Sequence, residues 1–208
     1  MINILSIKNS LFPKKKINFI TIFTFLLGII FGTVFLCILS FNDKNYVISK
    51  INSFISIINS GKLNYSDMFS NSILINISYI LLIFVFGLTL IGMFIIIFIV
   101  FFKGFIIGFY LGSFIISYSY KGLFLSILYV LFSQGINIIS IIIASIFGII
   151  FSCNLFKNIF YKSSISLKKF IRIYLLLFFF LLIIAFLSSL LEVFVFPSSI
   201  KLIIKLFV

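Results

Sequence analysis

The segment FFKGFIIGFYLGSF, Phe101–Phe114, places one lysine and three evenly spaced glycines inside a long apolar run. Gly104, Gly108 and Gly112 recur at every fourth position, so they lie along one face of a helix. A helix face without side chains lets a second helix approach closely. The spacing therefore predicts close packing of this helix within its own bundle, with oligomerisation as the alternative. The charge of Lys103 needs a separate explanation.

Composition indicates that lipid is the main solvent of this chain. The 208 residues are 63% hydrophobic and 9% charged, whereas a soluble domain carries roughly a quarter charged residues. The chain cannot cover a water-exposed surface, which predicts an all-α, polytopic integral membrane bundle forming a single domain over residues 1–208. The net charge of +13 sits at the ends of apolar runs, where basic residues set orientation and meet lipid headgroups. Membrane lipid is therefore the expected partner, and nucleic acid is not.

The alternation of apolar and basic segments predicts about five transmembrane helices. The basic tail at 1–16 and the basic loop at 157–170 are expected in the cytoplasm, and the polar loop at 42–71 outside. Three crossings fit between these two loops, which puts the N-terminus in the cytoplasm and the C-terminus outside. The first span contains Gly28 and Gly32, a second pair with the spacing of a helix-packing face.

Two boundaries follow from local signals. In the outer loop, NYVISKINSFISIINSG at 45–61 has apolar residues at helical spacing and Gly61 as a stop, which predicts an amphipathic helix. This helix is expected to rest on the outer leaflet, with packing over the bundle or docking of a partner protein as alternatives. The last span is expected to run over 171–196 and to end at Pro197.

The position of Lys103 leaves two registers open. In the first, the second span runs to Phe101, and Lys103 is a snorkelling lysine at the cytoplasmic turn. In the second, GLTLIG at 87–92 makes that turn, and Lys103 lies at mid-membrane at a cost of at least ~2.5 kcal/mol. Both registers are compatible with a broken or re-entrant helix, which is tolerated where protein or water shields the backbone.

Other polar residues also interrupt the apolar runs. SQGIN at 133–137 contains Gln134 and Asn137, for which interhelical hydrogen bonds or a break lining a cavity are the two interpretations. Glu192 is the acid of the last span, either an interfacial carboxylate or a partner of Lys103. These four side chains are the candidate intramembrane polar residues.

Catalytic chemistry is not expected. The chain contains no histidine and three acidic residues, Asp43, Asp67 and Glu192, which are far apart in the sequence. This set assembles no acid–base pair, catalytic triad or His-based metal site, and no nucleotide-binding fingerprint occurs. The sequence therefore predicts a protein that is not an enzyme, with no catalytic, cofactor-binding or metal-binding residues and no cofactor.

The ordered motifs resemble the stage II sporulation protein M family along almost the whole chain. They are FLLGIIFGTVF at 25–35, SDMFSNSILINISYI at 66–80, FGLTLIGMFIIIFIVFFKGFIIGFYLGSF at 86–114, SQGINIISIIIASIFGIIFS at 133–152 and SSLLEVFVFPSSIK at 188–201. The glycine and lysine spacing of the third motif is the most distinctive. The family often has proline where Ser133 stands.

The resemblance implies a function that composition does not show. By resemblance to this family, the protein is expected to be a membrane scaffold of the mother cell. The scaffold holds two peptidoglycan hydrolases, stage II sporulation proteins D and P, at the division septum during forespore engulfment. The expected role is thus non-enzymatic, in the cell membrane. The alternative is a small transporter or channel component, with Lys103, Gln134, Asn137 and Glu192 lining a midplane site. The oligomeric state is left open.

Overall fold

A computed structural model describes residues 15–161 and 167–207, and this part of the chain is built of helices without strands. Most of the predicted tail at 1–16 and the middle of the predicted loop at 157–170 lie outside the described residues. The six helices are α1 (Lys15–Ile38), α2 (Phe41–Ser60), α3 (Tyr65–Gly87), α4 (Gly92–Leu128), α5 (Gly135–Tyr161) and α6 (Leu167–Phe207), and a π-helix (Tyr129–Gln134) joins α4 to α5.

Five helical segments in the described residues are long and apolar enough to cross a membrane, and α2 is not among them. The protein is therefore a multi-pass membrane protein, and the predicted all-α bundle with five spans is confirmed. The segments are Lys15–Ile38, Tyr65–Gly87, Gly92–Leu131, Gly135–Phe160 and Phe170–Ser198.

The turn between α3 and α4 lies at residues 88–91. Ser152 of α5 fixes it, because its hydroxyl donates to the carbonyl of Thr89 at 2.8 Å and accepts from the backbone N–H of Met93 at 3.1 Å. The structure thus has the second register, and a position for Lys103 at this turn is wrong. Lys103 lies eleven residues beyond Gly92, about 16 Å along α4 at ~1.5 Å per residue. We call this end of the bundle the turn end and the opposite end the loop end.

The backbones of α1 and α4 touch along their glycines. A Cβ atom added to Gly104 would overlap the carbonyl oxygen of Phe25, and one added to Gly108 would overlap that of Ile29. The glycines of α1 mirror this arrangement. Cβ atoms on Gly28 and Gly32 would overlap the carbonyl oxygens of Phe101 and Phe105. Gly112 faces a side chain instead, since its Cβ would meet Cδ1 of Leu36 at 2.8 Å. The five glycines thus line one α1–α4 interface.

Helix α2 lies on the bundle at the loop end. It ends at Gly61, whose φ of 69° is the left-handed conformation that glycine adopts without strain. Ile58 is 2% exposed, and the ring of Phe54 stacks on Phe196 of α6 with 6.4 Å between centroids. The hydroxyl of Tyr118 on α4 donates to Oδ1 of Asn52 at 2.6 Å. Of the three arrangements considered, packing over the bundle is the one observed.

Helix α6 continues past Pro197, but its segment that is long and apolar enough to cross a membrane ends at Ser198, next to the predicted end of the last span. Proline has no backbone N–H, and the carbonyl of Val193 one turn earlier therefore loses its helical donor. The hydroxyl of Ser198 donates to the neighbouring carbonyl of Phe194 at 2.9 Å. This bond is a side-chain back-bond to the carbonyl one turn earlier, and it does not replace the donor that Val193 loses.

Candidate functional site: an intramembrane polar cluster

The four polar residues predicted from the sequence come together between α3, α4, α5 and α6. Nζ of Lys103 donates to Oε1 of Gln134 at 3.1 Å, and Nε2 of Gln134 donates to Oε1 of Glu192 at 2.8 Å. Nδ2 of Asn137 donates to Oδ1 of Asn76. We define the polar cluster as these residues and their direct partners, namely Ser72, Asn76, Lys103, Gln134, Asn137, Ser189 and Glu192.

Glu192 is the acceptor at the centre of the polar cluster. Its Oε2 atom accepts from the Ser72 hydroxyl at 2.6 Å and from Nδ2 of Asn76 at 3.2 Å. With Gln134 on Oε1, the carboxylate accepts three hydrogen bonds. A carboxylate has only lone pairs to offer when it is ionised, so a set of three donors suits it. Glu192 is therefore neither a purely interfacial carboxylate nor a bare counter-ion.

The amides of Asn76 and Asn137 extend the polar cluster into the closed interior. Asn76 is 1% exposed and Asn137 is 0% exposed. Nδ2 of Asn76 also donates to the Ser189 hydroxyl at 3.0 Å. Oδ1 of Asn137 is buried and has no hydrogen-bond partner among the described residues. This network links α3, α5 and α6 by hydrogen bonds within the apolar interior, where alternatives in lipid are few.

Sequence reasoning missed three members of the polar cluster. Ser72 and Asn76 lie four residues apart on α3, and Ser189 lies three residues before Glu192 on α6. Residues with these separations share a helix face. A search for polar pairs at helical spacing inside apolar runs would have found them.

A π-helix positions Gln134. The turn Tyr129–Gln134 has the wider i→i+5 hydrogen-bond geometry, which often marks functional sites inside longer helices. Ser133, at the position for which the resemblance implies proline, stands in it and is 2% exposed. A proline kink is therefore not what redirects this helix. A second irregularity precedes it at Ser119, whose φ of 54° interrupts α4.

Lys103 is a buried cation with few partners. Its side chain is 4% exposed, and Nζ stands 4.8 Å from the centre of the Tyr79 ring. A cation over an aromatic face is stabilised by about 0.5–2 kcal/mol. Among the described residues, Oε1 of Gln134 accepts a hydrogen bond from Nζ of Lys103 at 3.1 Å. An ammonium group has three donors, so the described side chains satisfy only part of its capacity.

Two adjoining cavities reach the polar cluster. The lateral cavity, of about 480 Å³, has Lys103, Gln134 and Glu192 in its wall. Its α3 rim includes Leu74 and Leu82, which are 64% and 46% exposed, so it opens between α3 and α4 toward lipid. The loop-end cavity, of about 560 Å³, lies beneath α2. The two cavities share Tyr110, Tyr129 and Glu192 in their walls.

The interior closes between the polar cluster and the turn end. Ile83 of α3, Ile96 and Val100 of α4 and Ile141 of α5 are each 0% exposed and belong to one apolar cluster. Fully buried apolar side chains that pack together leave few voids as large as a water molecule. The polar cluster is therefore reached from the lipid side and the loop end.

Fold and site together define a class, the multi-pass helical membrane proteins with a polar cluster buried between their spans. The family described as Stage II sporulation protein M matches residues 20–197, a stretch that includes every member of the polar cluster. The chain belongs to this family, and the resemblance seen in its motifs is confirmed. No curated protein and no solved structure matches the chain significantly. Family membership makes it a sporulation-related membrane protein.

Proposed function

We propose that the protein is a non-enzymatic scaffold of the cell membrane that holds peptidoglycan hydrolases at the septum during forespore engulfment. The resemblance of the motifs suggests stage II sporulation proteins D and P as its partners. In the proposed orientation the N-terminus is cytoplasmic, the C-terminus is extracytoplasmic, and the loop end faces the cell wall. This orientation follows from the basic segments flanking the spans.

The observation that supports this proposal best is the seating of α2. Its apolar face is fixed to the bundle by Ile58 and Phe54, so the helix has one orientation. The opposite face consists of exposed small polar residues that include Asn45, Ser49, Ser53 and Ser56. Because this face is polar and rigidly held, it suits docking of a water-soluble domain better than immersion in lipid.

The acidic residues support a positional role over a catalytic one. Asp43 and Asp67 are each held in the first turn of a helix, where they accept from Ser40 and Asn64 at 2.6 Å. Carboxylates at helix N-termini stabilise the helix. Glu192 accepts three hydrogen bonds in the polar cluster. Each acid thus has a local structural role, and the chain has no histidine to complement it.

The proposal is tested by changing the exposed face of α2. The double variant Ser53→Arg, Ser56→Arg puts two bulky cations on that face without touching its buried side. We expect normal membrane levels, loss of co-purification of the two hydrolases and a block at engulfment. The matched control is Ser66→Arg, an exposed serine at the loop end outside α2. Normal hydrolase recruitment by the double variant would contradict the proposal.

A second candidate function is transport, favoured by one specific observation. Lys103, Gln134 and Glu192 line a cavity of about 480 Å³ rather than dispersing to the span ends. Intramembrane ionisable residues around a cavity are typical of transport pathways. Transport would require the apolar layer at Ile96 and Val100 to open. A deletion strain that engulfs normally but loses uptake of a solute would favour this candidate over the scaffold.

A further inference from the structure

We propose that the lateral cavity is a binding site for a membrane-embedded amphiphile whose head is an oxyanion, either a carboxylate or a phosphate. The head would meet Lys103, and the chain would leave between α3 and α4. This inference goes beyond the scaffold proposal and does not depend on it, since hydrolase recruitment and amphiphile binding are measured separately.

The requirement for an acceptor comes from Lys103. Lys103 is 4% exposed and lines the lateral cavity, and the described residues offer its Nζ atom Oε1 of Gln134 and the Tyr79 ring. An incompletely paired cation inside the membrane is costly unless another group completes its shell. Oxyanion oxygens are the strongest acceptors for an ammonium group. The ammonium group of Lys103 therefore has N–H donors left for an anionic or strongly accepting head group in the cavity.

Glu192 sharpens the choice of ligand. Its carboxylate already accepts from Ser72, Asn76 and Gln134 at 2.6–3.2 Å. A cationic ligand would have to compete with these three donors, whereas an oxyanion would add to the unfilled side of Lys103. Gln134 bridges the two charges, because it donates to Glu192 and accepts from Lys103. Glu192 already has three hydrogen-bond donors, whereas Lys103 still lacks acceptors among the described residues. This difference, rather than the net charge of the site, favours an anionic ligand.

The shape of the cavity selects a chain attached to that head. Leu74, Ile75 and Leu82 form an apolar rim that is 46–64% exposed at the lipid-facing surface. The volume of about 480 Å³ lies within the roughly 300–1,000 Å³ usual for small-molecule sites. An apolar chain entering through this rim would stay in lipid while its head reached Lys103. The closed layer at Val100 makes this a terminal site and not a passage.

The test uses the purified full-length chain in a nonionic detergent and follows its thermal unfolding with defined probes. Oleate and oleoyl lysophosphatidate carry the two oxyanion heads, monoolein carries the same chain without charge, and acetate and inorganic phosphate are the heads alone. We expect the two anionic amphiphiles to raise Tm by about 5 °C near saturation. Monoolein and the free anions should change Tm by less than a third of that shift.

Variants separate the cavity from the protein surface. Lys103→Met should lower the affinity for both anionic amphiphiles at least tenfold, whereas Lys62→Met, an exposed lysine at the loop end, should leave it unchanged. Ser78→Trp, at the exposed rim, should block entry with Lys103 intact and serves if Lys103→Met does not fold.

Three results would overturn the proposal. An equal Tm shift with monoolein would show that binding does not require the oxyanion. An equal Tm shift with acetate or phosphate would show that binding does not require the apolar chain and that the site takes free anions. Wild-type affinity in both Lys103→Met and Ser78→Trp would place any binding elsewhere. The proposal is supported if both anionic amphiphiles raise the Tm of the wild type and if Lys103→Met and Ser78→Trp lose this binding while Lys62→Met keeps it.

Discussion

The two faces of α4 behave in opposite ways. On one face, Gly104 and Gly108 bring the helix so close to α1 that added Cβ atoms would overlap carbonyl oxygens. On the other, Lys103 looks into a cavity of about 480 Å³ between α4 and α3. The lysine and the first of these glycines are neighbours in sequence. The tight face therefore has no room for side chains, whereas the open face leaves room for a ligand or solvent.

The comparison shows how one helix supports a rigid frame and an accessible site together. Without water to drive helices together, close backbone packing is a principal source of association in lipid. The glycine face supplies that association, and α4 is held on α1. The open face can then tolerate a buried charge and empty volume, each of which costs free energy.

Breaking the tight face should have the largest effect. Gly108→Leu would drive a side chain into the backbone of Ile29, which cannot move away without separating α1 from α4. We expect destabilisation by about 3 kcal/mol or loss of the protein from the membrane. Gly112→Ala is the control, because its Cβ meets only the movable end of Leu36 at 2.8 Å. Unfolding midpoints in detergent measure both variants, and equal effects would contradict the backbone contact.

Removing the central acceptor of the open face should rank second. Glu192→Leu leaves donors of Ser72, Asn76 and Gln134 without their acceptor and leaves Lys103 without a nearby anion. We expect a loss of about 2 kcal/mol. Glu192→Gln retains an acceptor and should lose less than half as much. Unfolding titrations of the two variants provide the measurement. A neutral effect of Glu192→Leu would show that the network does not hold the helices.

Removing the cation should cost less than removing the acid. Lys103→Met replaces an incompletely paired buried charge by an apolar side chain of similar length, so stability should change by about 1 kcal/mol or less, in either direction. In the Glu192→Leu background, Lys103→Met should be less destabilising, or more stabilising, than in the wild type, because the cation has then already lost its neighbouring anion. A double-mutant cycle on unfolding free energies measures this coupling. Strict additivity would argue against communication through Gln134.

The smallest effect should come from the brace at the loop end. Tyr118→Phe removes the hydroxyl that donates to Asn52 at 2.6 Å and leaves the ring in place. We expect a loss of about 0.5 kcal/mol and faster hydrogen exchange in α2, with both faces of α4 unchanged. Tyr120→Phe, on a residue that is 75% exposed, is the matched control. Equal exchange in the two variants would show that this bond does not hold α2.

Local patterns predicted the tight face, and distant contacts determined the open one. Glycines at every fourth position define a helix face without further information, as do the apolar residues of α2 and its stop at Gly61. The turn at 88–91 was ambiguous, because a lysine at 103 suits a span end equally well. Ser152, on a different helix, settles it by bonding to Thr89 and Met93.

The remaining differences arise where the sequence of one helix does not show what the bundle does with it. Pro197 predicts a helix end by its own chemistry, yet α6 continues past it to Phe207. Asn76 and Ser189 are ordinary residues in their own helices. They become part of the polar cluster because α3 and α6 meet there. This contact brings together two residues that are 113 positions apart in the chain.

Cysteine accessibility tests the central claim, that Lys103 lies at mid-membrane on the open face of α4, most directly. In a background without Cys37 and Cys153, Leu90→Cys, Lys103→Cys and Tyr120→Cys are labelled in intact cells and inverted vesicles with an impermeant maleimide. The account predicts labelling of positions 90 and 120 from opposite sides, and at position 103 slow labelling or none, never from the side that labels position 90. Labelling of position 103 from that side, as fast as position 90, would contradict it.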